Sequence, residues 1–209
     1  MELKSDSIDD GREIDGKYAF CVPDPENKVR FSENISPHFE WDGLPGGTES
    51  LVLICHDSDV PSKPDDVNVE GREVPEDLER IDFYHWVMVD LDPDAGSLEE
   101  GAFSEDVTPR GKDGPEGPLG TRQGLNDYTN WFAEDPEMEG NYYGYDGPCP
   151  PWNDSIVHHY HFTLYALDVE QAPVEGTFTG DDVLEAIDGH ILDQDSITGL
   201  YTLNPNVEI

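Results

Sequence analysis

The stretch Asp146–Asp168, DGPCPPWNDSIVHHYHFTLYALD, sets a proline-rich loop directly before ten residues dominated by aromatic and aliphatic side chains. That run is too short and too continuously apolar for an amphipathic helix, so it predicts a strand over His158–Leu167. Three of the chain's seven histidines, His158, His159 and His161, stand at its mouth. Successive side chains in a strand point to opposite faces. His158, Tyr160, Phe162 and Leu164 therefore share one face, and His159, His161, Thr163 and Tyr165 share the other. This alternation argues against a single metal site built from all three histidines. A pair such as His159 and His161 stays open as a metal-binding alternative; otherwise the two read as packing or surface residues.

Outward from this strand, SLVLICHD (Ser50–Asp57) and FYHWVMVDL (Phe83–Leu91) have the same character. Near-continuous apolarity predicts strands buried on both faces. VPSKPDDVNVEGREVPEDLER (Val60–Arg80) and the Gly/Pro/Asp/Glu-rich region from Ser104 to Asn141 read as long loops. TGDDVLEAIDGHIL (Thr179–Leu192) predicts a helix. Thr179 suits the N-cap, acids fill the first turn, and Val183, Leu184, Ile187, Ile191 and Leu192 fall near helical spacing. In the same segment His190 reads as structural, with Gly189 allowing close packing. Residues 1–17 are polar and predict a loose arm, leaving residues 18–209 as one domain. The expected fold is mainly β, with a few peripheral helices including one near the C-terminus.

The charge narrows the partners. There are 48 acidic residues against 11 basic ones among 209, a formal net charge of -37. The acids are spread along the whole chain, so they do not form an interaction tail. A carboxylate-rich surface suits a cytoplasm of very high salt, where at ~1 M the Debye length falls to about 3 Å and self-repulsion is screened. The expectation is a cytoplasmic protein of a halophile. No basic patch exists to meet a nucleic-acid backbone, and the charge disfavours an anionic membrane surface. No run approaches the ~18 apolar residues that span a bilayer, and the opening MELKSDSIDD lacks a signal-peptide core. Cys21, Cys55 and Cys149 are an odd, widely spaced set without a CxxC pair. They are expected to be ordinary thiols, with neither a disulfide nor a zinc site.

No P-loop, strand-linked GxGxxG, HExxH or GxSxG is present. Polar residues instead mark the ends of apolar strands: Asp57 and Asp59 after the first, His85 early in the second, His158 opening the third. Each alone also reads as a turn cap or a satisfied core histidine. Together the blocks SENISPHFEWDGLPGGTESLVLICHDSDVP, YHWVMVDL, GYDGPCPP, HHYHFTLYALD and LEAIDGHIL…TGLY resemble the phosphatidylethanolamine-binding protein family in its bacterial and archaeal, Raf-kinase-inhibitor-like branch. The five blocks run in order from about Phe31 to Tyr201.

The resemblance implies an antiparallel β-sandwich with a small anion pocket at one end. Its Asp-Pro-Asp-x-Pro motif falls on DSDVP, giving Asp57, Asp59 and Pro61. Its pocket histidines fall on His85 and His158, with Tyr160 on the same face as His158. GPCPP, with Pro148 and Pro150, falls on the pocket wall. Ser58 replaces a proline of the first motif and His159 the arginine of its Gly-x-His-Arg motif, which removes any salt bridge that arginine makes. The expected ligand is a small anion or phosphorylated head group bonded by imidazole N–H groups, with no metal or other cofactor. Asp57 would hold a histidine in its charged form or receive the amine of a zwitterionic head group. No nucleophile–base–oxyanion set is visible, which favours a binding module that modulates a protein partner. An acid–base enzyme using the same pocket is the alternative, and inhibition of a protease or kinase through surface loops is a further one. A homodimer is possible on the resemblance alone.

Overall fold

The three apolar runs form the centre of a six-stranded sheet in the computed structural model, which describes residues 1–209. In chain order the strands are β1 (Glu2–Lys4), β2 (Arg12–Glu13), β3 (Cys21–Asp24), β4 (Lys28–Phe31), β5 (Phe39–Asp42), β6 (Ser50–Pro61), β7 (Arg80–Leu91), β8 (Ser97–Leu98), β9 (Arg122–Gln123), β10 (His158–Leu167) and β11 (Ile191–Tyr201). The helices are α1 (Tyr128–Trp131) and α2 (Gly180–Ile187). The large sheet runs β2-β11-β10-β6-β7-β9, a three-stranded sheet runs β1-β5-β8, and β3 pairs with β4 alone. Every pairing is antiparallel except β2 with β11.

Burial on both faces explains the unbroken apolarity of β6, β7 and β10. On one face Leu51, Leu53, Trp86, Met88, Phe162 and Leu164 pack with residues of the three-stranded sheet. Phe39 of β5 meets Phe162 with ring centroids 5.1 Å apart. On the other face Val52, Ile54, Val87 and Val89 are covered by Phe178 and by Val183 and Ile187 of α2. The faces of β10 alternate at its start as its sequence predicts: His158, Tyr160, Phe162 and Leu164 are fully buried, while on the other face His159 is exposed, His161 and Tyr165 are half-buried and Thr163 is buried.

Four expectations need correction. The helix is shorter than its periodicity, because Ile191 and Leu192 open β11 and are exposed. Its start is as read: the Thr179 side chain and the Asp182 carboxylate form a reciprocal capping box. Gly189 lies at φ +86 with nothing near its absent Cβ. It is therefore needed for the left-handed turn after α2, not for close packing. Residues 1–17 are not a loose arm, since Leu3, Ile8 and Ile14 are buried and the N-terminal ammonium bonds Asp193 at 2.8 Å. Finally, Cys21 and Cys149 form a disulfide across 128 residues of sequence, leaving Cys55 as a buried free thiol. Sequence spacing carries no trace of that pairing, because the fold alone brings their Cα atoms to 4.9 Å. No helix is long and apolar enough to cross a membrane.

Candidate functional site

The register of the central strands assembles the site. Tyr160 of β10 lies opposite Asp57 of β6, and Asp57 lies opposite Phe83 of β7, two residues before His85. The three polar strand-end residues, remote in sequence, therefore meet at one end of the sheet. His158, Asp57 and His85 are 0%, 1% and 3% exposed. Burying such groups is tolerable only with full hydrogen bonding.

For His158 that bonding is complete. Its Nδ1 lies 2.7 Å from an Asp57 carboxylate oxygen and its Nε2 lies 3.1 Å from Asp154. Asp154 is itself buried and receives two bonds from the Arg80 guanidinium, at 2.6 and 3.1 Å. Burial works against a charged His158, but the Asp57 charge and the bonds from both carboxylates outweigh it and raise the pKa to about 9. Burial likewise opposes charge on Asp57 and Asp154, yet the His158 contacts on both, with Arg80 added on Asp154, hold each below the ordinary carboxylate value. The result is a buried chain of alternating charge, Arg80–Asp154–His158–Asp57.

His85 is held differently. Its Nδ1 donates to the carbonyl of Asp146 at 2.7 Å. Burial lowers its pKa to about 4, only partly opposed by the charge of Asp57. The ring is therefore neutral near pH 7, and because Nδ1 carries the proton, Nε2 carries the lone pair. Tyr160 and Tyr128 both meet this ring edge-on, with centroids 5.1 and 5.5 Å away. The Tyr128 hydroxyl donates to the Gly147 carbonyl at 2.8 Å. The Tyr160 hydroxyl is fully buried and has no hydrogen-bond partner. Burial, the charge of Asp57 and the approach of that carboxylate to the hydroxyl keep the phenol well above its usual range. A buried donor that makes no well-formed hydrogen bond costs roughly 1–3 kcal/mol and calls for an explanation.

The remaining expected residues are placed less centrally. Asp59 turns away: its carboxylate binds the backbone N–H and Nδ1 of His159 at 2.9 and 2.8 Å. A break in register between Asp57 and Val60 allows this, as bulges re-aim side chains. The Asp59 N–H still donates to Asp57 at 2.8 Å. Where the family's arginine is missing, His159 thus pairs with Asp59, and Arg80 bonds the Asp59 carbonyl at 2.8 Å. Pro61, Pro148 and Pro150 are buried. Pro61 lies opposite Arg80, and the Pro148 carbonyl accepts from the N–H groups of Phe20 and Cys21. His161 bonds Thr198 and Ser58. No group of three or more His, Cys, Asp or Glu side chains is arranged to hold a metal ion. Surface cavities of about 430 Å³ beside α2 and about 520 Å³ beside Trp152 are lined by other residues.

Sequence reasoning missed Asp154, Arg80 and Asp146. Asp154 was hidden in loop composition, and Arg80 fell in a predicted loop although β7 begins there. The only available signal for Arg80 was the scarcity of basic residues. Asp146 acts through its carbonyl, which no side-chain motif reveals, while its buried carboxylate is held by Lys112, Asn34 and Asn126.

A model of the phosphatidylethanolamine-binding protein family matches residues 4–202. A UPF0098 protein of Methanothermobacter thermautotrophicus is 35% identical over 96% of this chain and 98% of its own length. The UPF0098 protein YbhB of Escherichia coli is 30% identical over 97% of this chain and all of its own. Among solved structures, YbcL of Escherichia coli, described as a member of the mammalian PEBP family, superposes with a TM-score of 0.65 at 26% identity, covering 96% of this chain and 97% of that one.

Proposed function

The chain belongs to the phosphatidylethanolamine-binding protein family, and from that membership we propose that it binds a small anion or phosphorylated head group against Tyr160 and His85. The observation that carries this reading is the buried, unpartnered Tyr160 hydroxyl beside a neutral imidazole. An anionic oxygen supplies the well-formed acceptor that the hydroxyl does not find in Asp57. The His85 lone pair at Nε2 accepts a P–OH proton from a monoanion, or takes up a proton when a dianion binds. His158 does not donate to the ligand, because both its nitrogens are engaged by carboxylates. Its charge instead offsets that of Asp57, which would otherwise repel an incoming anion. Pro148 and Pro150 stiffen the wall behind Asp146. Neither His85 nor His158 is hydrogen-bonded to a serine, threonine or cysteine, which favours a binding role over covalent catalysis.

Calorimetric titration of inorganic phosphate in ~1 M KCl, where surface repulsion is screened, tests the reading. The intact protein is expected to bind saturably, and Tyr160→Phe to bind ~10-fold or more weakly, the loss of about one charge-assisted hydrogen bond. Equal binding by Tyr160→Phe, or no saturable binding by the intact protein, overturns it.

A further inference from the structure

We propose that the Cys21–Cys149 bond is a thiol-exchange site whose redox state latches the wall of the anion site; the ligand side of this inference rests on the reading above. The segment Gly147–Pro151 is GPCPP. Pro148, Pro150 and Pro151 have no N–H to donate. The Gly147 N–H is taken by the Asn34 side chain at 2.8 Å. The wall is therefore poor in the backbone bonds that normally hold a segment in place. A covalent tie to β3 takes their part, reinforced by the Pro148 carbonyl accepting from Phe20 at 2.9 Å and Cys21 at 3.1 Å.

What the tie holds is the site itself. Asp146, directly before this segment, carries the carbonyl that orients His85, and Gly147 carries the carbonyl that accepts from Tyr128. Phe20, next to Cys21, stacks on Tyr128 at 4.5 Å, and Tyr128 meets the edge of His85. Loosening the segment therefore acts on His85 from both sides.

The bond is open to attack from one side. Cys21 is buried, whereas Cys149 is half-buried. A dithiol reductant attacks the Cys149 sulfur through its thiolate, and Cys21 leaves as a thiolate that takes up a proton. The second thiol of the reductant then displaces Cys149 and closes the reductant's own disulfide. The reductant loses two electrons and two protons, and the protein gains them as two thiols. Cys55 takes no part, being fully buried in the sheet.

The test treats the folded protein with dithiothreitol, alkylates it, and compares it with the oxidised form and with the double variant Cys21→Ser/Cys149→Ser. Mass analysis is expected to show Cys21 and Cys149 labelled and Cys55 protected. Amide exchange at Phe20, Cys21 and Gly147 is expected to accelerate ~10-fold or more, the signature of local opening. The His85 ring resonances are expected to shift, and the double variant to match the reduced protein in either buffer. Resistance of the bond to dithiothreitol until the chain unfolds, or unchanged exchange and His85 resonances after reduction, overturns the latch. These readouts need no ligand. If they change while phosphate binds neither form, the latch stands and the anion reading falls; if phosphate binds both forms equally, the coupling of latch to site falls.

Discussion

At the scale of single residues, two histidines with opposite protonation states organise the site. His158 is charged by its carboxylate partners and His85 is neutral by burial. Their effects on stability have opposite signs. The raised pKa of His158 contributes stability that is complete below its ordinary 6.5 and is lost as pH rises through about 9. At about 1.4 kcal/mol per unit, the contribution is ~3 kcal/mol. The stability gap between the intact protein and His158→Gln, from denaturant midpoints, is thus expected to narrow between pH 6.5 and 9; a gap that widens contradicts the charged assignment. The depressed pKa of His85 works the other way, contributing stability present above 6.5 and lost as pH falls through about 4. Removing Arg80 by Arg80→Met strips the outer partner from Asp154. Breaking a buried pair from one side costs about 3–5 kcal/mol; a loss below ~1 kcal/mol in chemical denaturation would show that the chain of charges carries little.

At the scale of elements, what could be read from the sequence depended on how each element is buried. β6, β7 and β10 lie between two packed layers, so their apolar runs are unbroken and their identity was plain. Alternation along β10 separated His158 and Tyr160 from His159 and His161, and Asp57 and His85 followed from the family motifs. β11 carries no clear strand signal, since only Ile197, Gly199 and Tyr201 of its eleven residues are buried, and Ile191 and Leu192 extend the spacing of α2 by coincidence. Long-range pairings left no local mark: Cys21 with Cys149, Arg80 with Asp154, and the N-terminal strand with Phe39–Asp42. The start of α2 was legible because capping is local. Thr179→Ala removes the side-chain half of the box, leaving the N–H of residue 179 on the Asp182 carboxylate, and is expected to cost about 1 kcal/mol. An unchanged thermal midpoint would mean that the packing of Val183 and Ile187 on the sheet holds the helix without its cap.

At the scale of the whole molecule, a net charge of -37 opposes compaction at low ionic strength. Raising KCl from ~0.1 to ~1 M shortens the Debye length from about 10 to about 3 Å. The thermal midpoint is expected to climb over that range; a flat or falling profile would contradict the screening argument. The disulfide acts on the unfolded chain by closing a loop of 128 residues in sequence separation. Its removal is expected to lower stability by roughly 2–5 kcal/mol. The same charge bears on function, since an acidic surface repels the anion the site is proposed to hold. Affinity for phosphate should therefore be weak in dilute buffer and recover with salt.

The central claim is that a neutral His85 and the Tyr160 hydroxyl await an anion. The most direct test follows the His85 ring by NMR across a pH titration, with and without inorganic phosphate, in ~1 M KCl. The account predicts a pKa of about 4 in the free protein, rising by a unit or more, ~1.4 kcal/mol of coupling, when phosphate is bound, and no such rise in Tyr160→Phe. A free His85 that titrates at its ordinary 6.5, or one whose pKa phosphate leaves unmoved, would contradict it.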